Sequence, residues 1–140
     1  MAVVVPSNVN DRPLAPATGV MAATAGACAP SAPPSVLIVN GRQDLEVPFG
    51  GAPALPGAGA AVLGAEATLA NWARRDRCAA SPQKSNASPG GTSVEVVTYP
   101  NCASGRFVQG WWVNDWSHMP PRGSGPPLLL QAVRRALGRG

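Results

Sequence analysis

The chain has 140 residues, the length of one domain, and by size alone folding could remove roughly 70% of its unfolded surface from water. Its 16 Gly and 16 Pro exceed average usage and charged residues make up only 13%, which predicts a thin core and much irregular structure. The net charge of +4 comes almost wholly from arginines that cluster only at Arg74-Arg75-Arg77 and Arg134-Arg135-Arg139, so no basic stripe for nucleic acid is expected, and no apolar run is long enough to span a membrane.

Met1-Ala2-Val3-Val4-Val5-Pro6 lacks a basic leader and its apolar run is too short for a signal peptide, so read literally the chain stays in the cytoplasm. Ala2 to Val5 is of strand type and is closed by Pro6 and Ser7. From Pro13 to Pro34, Ala and Pro dominate around Thr18, Thr24 and Cys28, which predicts a long surface connection. So long a connection without structure argues for an incomplete fold. Val36 to Val39 is apolar and mostly β-branched, as in a strand buried on both faces within a parallel sheet covered by helices. Gly41 ends that strand. Three residues on, Asp44 falls at its carboxyl edge, where open α/β sheets gather reactive side chains. Val47-Pro48 then holds the loop extended and Gly50-Gly51 frees it to turn.

Pro53 to Gly59 is too rich in Pro and Gly for an element, whereas Ala61 to Asp76 predicts an amphipathic helix with Val62, Ala65, Leu69, Trp72 and Ala73 on its apolar face. Arg74, Arg75 and Arg77 then complement the carbonyls of the last turn, a better reading than a phosphate site. Ala79 to Gly91 reads as a polar loop, Thr92 to Tyr99 and Arg106 to Val113 as strands, and Pro127 to Leu137 as a closing helix. Helices and strands in this order indicate an α/β fold with Pro/Gly-rich loops.

His118, the only histidine, lies between the last strand and the closing helix. A catalytic imidazole needs a carboxylate on one nitrogen to fix its tautomer, and Asp44 is the candidate. The residues alone equally allow a surface histidine, with Asp44 capping its own turn, and Asp115 is a nearer rival partner. No G-x-S-x-G occurs, and Ser93, Ser104 and Ser124 lack the strand-turn-helix context of a nucleophile elbow. The cysteines are too widely spaced for a zinc knuckle and no glycine-rich phosphate loop exists, so neither metal nor cofactor is expected. Trp111, Trp112 and Trp116 suit either an aromatic site or core packing.

The stretch from Val36 to Gly51, Val-Leu-Ile-Val-Asn-Gly-Arg-Gln-Asp-Leu-Glu-Val-Pro-Phe-Gly-Gly, resembles the acid loop of the secreted polyhydroxybutyrate depolymerase and feruloyl esterase group. Ala67 to Cys78 is similar to that family's Trp-containing helix, and Tyr99-Pro100-Asn101-Cys102 to the segment of its second cysteine, so that the likeness spans Val36 to Pro121. Departures are Asn40-Gly41 for the family's His-Gly, Asn114-Asp115-Trp116-Ser117 for a Gly-rich run, and Met119-Pro120-Pro121 for Trp-Pro.

The resemblance implies the carboxyl-terminal strands and helices of an α/β-hydrolase whose triad follows the order Ser, Asp, His. Asp44 would be the acid and His118 the base, with a disulfide between Cys78 and Cys102, and Trp112 and Trp116 are the residues expected to bind the ester. It further implies an extracellular protein acting on small-molecule or polymeric carboxylic esters. The serine and the oxyanion loop would come from a missing N-terminal half. The expectation is thus one truncated domain over residues 1–140, inactive by itself, with a strand and irregular connection to residue 35 and the acid loop, helix, strands, His loop and terminal helix beyond it. The alternative is a noncatalytic binding module or remnant of the same fold.

Overall fold

A computed structural model of the chain describes residues 2–5, 35–53 and 61–136. The expected long connection, Cys28, nearly all of the Pro53 to Gly59 run and Leu137 lie outside the described residues.

Strands β1 (Ala2–Val5), β2 (Ser35–Gly41), β5 (Gln83–Ala87), β6 (Val94–Tyr99) and β7 (Val108–Val113) form one mixed sheet in the order β1-β2-β7-β6-β5. Only β2 and β7 run parallel, with Val36 opposite Val108 and Gly41 opposite Val113, and every other pairing is antiparallel. An entirely parallel sheet is therefore not what forms. Two short strands, β3 (Gly51–Ala52) and β4 (Val62–Leu63), pair beside the main sheet. Helix α1 (Ala65–Arg75) and helix α2 (Gly125–Ala136) cover opposite faces of the sheet, a small α/β arrangement.

The strict alternation of β2 and β7 produces this layering, because successive side chains point to opposite faces. Val36, Ile38, Val108 and Trp112 pack under Leu69, Trp72 and Ala73 of α1. Leu37, Val39, Trp111 and Val113 pack under Leu128 and Ala132 of α2. Each fully buried Trp removes 150–250 Å² from water, about 5 kcal/mol before the entropy of ordering is subtracted. Gly110 has no side chain because the Trp112 indole folds back over it, 2.4 Å from where a Cβ would stand.

Helix α1 is shorter than its apolar periodicity predicts because Val62 and Leu63 are drawn into the small ladder. Its first amide, that of Ala65, donates to Phe49 O at 2.8 Å, so the acid loop caps the helix. The helix closes in a Schellman motif: Cys78 N–H reaches Ala73 O at 2.9 Å and Arg77 N–H reaches Arg74 O at 3.2 Å, with Arg77 at φ 51°. That turn aims Cys78 at Cys102, and the two form a disulfide that ties the end of α1 to the segment after β6. No described helix is long and apolar enough to cross a membrane.

Strand β5 corrects the expected polar loop. Gln-Lys-Ser-Asn-Ala carries no alternation, and its first four side chains are exposed, so nothing in it signals a strand. It is held by its ladder to β6, and its Lys84 is of the kind that blunts sheet edges.

Candidate functional site

The parallel pairing of β2 and β7 brings two loops out at the same edge of the sheet. Residues 42–50 leave β2, and residues 114–124 leave β7. The loops are joined first through their backbones: Arg42 N–H donates to Val113 O at 2.9 Å and Gln43 N–H to Trp116 O at 3.0 Å. Gly41 makes this approach possible. A Cβ there would lie 2.1 Å from Trp116 O and 2.8 Å from Ser117 O, so any side chain would force the loops apart.

Asp44 is buried, and its two oxygens are divided between two tasks. Oδ1 accepts the amides of Glu46 at 2.9 Å and Val47 at 2.8 Å, which fixes the carboxylate in an Asx-type turn. Oδ2 is left to meet His118 Nδ1 at 3.1 Å. Asp44 thus caps its turn and binds the histidine at once, so the two readings of this residue are not exclusive. With the Nδ1 proton directed at the carboxylate, the lone pair of the neutral ring lies on Nε2, the arrangement a general base requires. The rival acid, Asp115, lies exposed in the turn after β7, and His118 takes Asp44 instead.

The far nitrogen does not face open solvent alone. Glu46 Oε2 lies 3.6 Å from His118 Nε2. Sequence reasoning missed this contact, although the position two residues after an Asx-turn acid was a usable signal, since that turn folds the chain back over the acid.

The tryptophans expected to bind the ester are buried instead. Trp112 is fully buried beneath α1, and Phe49 meets it edge to face with ring centroids 5.4 Å apart. The Arg42 guanidinium stands over the Phe49 ring, 4.6 Å from its centroid. Trp112 is therefore the floor on which the acid loop rests, with no surface for a substrate. Trp116 is 6% exposed, with its indole in the core under α2 and its carbonyl holding Gln43, so it anchors the histidine loop. What flanks the dyad at the surface is instead Leu45, 88% exposed, and Met119, 72% exposed.

No protein-family model, no curated protein and no solved structure matches the chain. The case for function rests on the site itself. Among the described residues the side-chain partners of His118 are the two carboxylates, and no hydroxyl or thiol joins them. Ser117 Oγ, next in the chain, donates to Met119 O at 3.2 Å, and Ser93 Oγ accepts from Asn114 Nδ2 at 2.8 Å.

Proposed function

We propose that the chain carries the acid and base of a carboxylic-ester hydrolase of the polyhydroxybutyrate depolymerase or feruloyl esterase type. The observation that supports this most is the 3.1 Å contact between Asp44 and His118 across the carboxyl ends of adjacent parallel strands. In that chemistry His118 Nε2 takes the proton of a serine hydroxyl as it attacks the ester carbonyl, then returns it to the leaving alcohol. Asp44 holds the ring and stabilises the imidazolium that forms between the two steps. The nucleophile and oxyanion donors must come from a segment bearing a G-x-S-x-G elbow, which this sequence lacks. The disulfide agrees with the extracellular setting in which we place the protein.

The test has two arms. The purified chain should turn over p-nitrophenyl butyrate no faster than buffer, since a base without a nucleophile has nothing to activate. Fused behind a serine-elbow segment of an α/β-hydrolase, it should hydrolyse the ester, and His118→Ala should abolish that turnover. Turnover equal in the His118→Ala fusion would remove the reading and favour a noncatalytic module.

A further inference from the structure

An imidazole presents its two nitrogens on divergent edges, so a carboxylate on one cannot reach the other. In this site both edges are nonetheless met by carboxylates: Asp44 Oδ2 at Nδ1, 3.1 Å away, and Glu46 Oε2 at Nε2, 3.6 Å away. The two acids are themselves linked, because the amide of Glu46 donates to Asp44 Oδ1 at 2.9 Å. The buried carboxylate that orients the ring therefore also places the backbone from which Glu46 reaches around it. Arg42, the one arginine of this loop, is committed to Glu95 and to the Phe49 ring, leaving Glu46 to the histidine.

A carboxylate has no proton to offer, so at 3.6 Å Glu46 Oε2 attracts Nε2 as an ion pair only when that nitrogen carries a hydrogen. With Nδ1–H directed at Asp44, an ion pair with Glu46 exists only in the imidazolium form, in which Nε2 has no free lone pair. For Nε2 to act as a base it must be unprotonated and unobstructed, so Glu46 must swing aside. Its side chain is 73% exposed, so only its own rotamers and solvent resist that movement.

We propose that Glu46 is an autoinhibitory latch on His118, which closes the basic nitrogen while the site is empty and opens when the ring is needed. The latch is electrostatic and solvent-facing, so salt should loosen it. This inference goes beyond the ester reading, and its experiment uses no ester, so either can fail without the other.

Because the chain has a single histidine, diethyl pyrocarbonate reports on it without ambiguity: the Nε2 lone pair attacks a carbonyl carbon, the new N–C bond forms as the anhydride C–O bond breaks, and ethyl carbonate leaves. The rate at 240 nm should be low for the native chain at low ionic strength and rise as sodium chloride is added. Glu46→Ala and Glu46→Gln should both react about two- to five-fold faster at low salt, with little further gain from salt. Asp115→Asn, which removes an exposed charge from the histidine loop, should behave as the native chain. Equal rates for the native chain and both Glu46 variants at every salt concentration would overturn the latch. So would an acceleration by Asp115→Asn as large as that of Glu46→Ala, since the general field of the loop would then be responsible.

Discussion

Asp44 and Asp76 are both buried carboxylates at opposite ends of the same sheet, and they are treated in opposite ways. Asp44 stands where β2 and β7 finish and is bonded through both oxygens, to two amides and an imidazole. Asp76 stands after α1, near the start of β7, beside the Cys78 to Cys102 bridge. It is fully buried, and neither carboxylate oxygen has a hydrogen-bond partner. Only its backbone is engaged, its amide donating to Trp72 O and its carbonyl accepting from Ala103 N–H. Burial pushes its carboxyl pKa up, and the nearby Arg106 guanidinium opposes the shift without cancelling it. A fully bonded buried acid holds a neighbour in place, whereas a buried acid without partners subtracts from stability. The contrast explains why the first belongs to a site and the second to a joint.

The joint offers the largest test. Replacing both Cys78 and Cys102 by Ser should cost about 3 kcal/mol of stability by urea unfolding, the loop entropy of a 24-residue closure. The bridge ties together the segments that bury Asp76, so the double variant should also expose that carboxylate and lose the pH dependence described below. The 15N signals of His118 should stay put, because the bridge lies at the other end of the sheet.

Gly41→Ala should act at the functional end, with a cost of about 2 kcal/mol as its methyl drives into Trp116 O. Separation of Asp44 from His118 would appear as a changed imidazole tautomer in 15N NMR. A native stability together with a native tautomer would show that the loop crossing is looser than the 2.1 Å approach implies.

Asp44 itself separates charge from shape. Asp44→Ala leaves two amides and the ring without an acceptor and should destabilise by about 1.5 kcal/mol. Asp44→Asn keeps the oxygen for those amides but turns an N–H toward Nδ1, so stability should hardly change while the ring proton moves to Nε2. Loss of stability equal to that of the Ala variant would mean that the charge, not the turn, matters.

The smallest effect should have the opposite sign. Since the folded pKa of Asp76 is raised, the native state holds its proton more tightly than the unfolded chain, and stability falls as pH rises from the unfolded value of 3.8 through the folded one. Asp76→Asn removes the ionisation, so its Tm should exceed that of the native protein at pH 7. The gap should narrow as pH drops through the folded pKa and stop changing below the unfolded one. A lower Tm at pH 7 would show that attraction to Arg106 outweighs burial.

Several elements were legible in the residues themselves. The apolar, β-branched run after Pro34 announces a doubly covered strand, the spacing of Leu69, Trp72 and Ala73 announces a helix face, and Asp44 three residues past Gly41 falls at the strand edge. These are local: periodicity and turn chemistry act over a few residues, so the sequence carries them directly. The Cys78 to Cys102 bridge entered only through family likeness, and its closure depends on the left-handed turn at Arg77, where no glycine marks the place.

What the tertiary structure alone decided is pairing over distance. Strand β5 exists because β6 offers it a ladder, not because of its own polar residues. Trp112 and Trp116 became supports for the two loops because α1 and α2 cover both faces of β7. Asp44 meets His118 across 74 positions of sequence because β2 and β7 happen to lie side by side and parallel, a register set by the packing of their buried faces. Local residue order put an acid and a histidine at strand ends, and only the neighbouring of those strands made them one site.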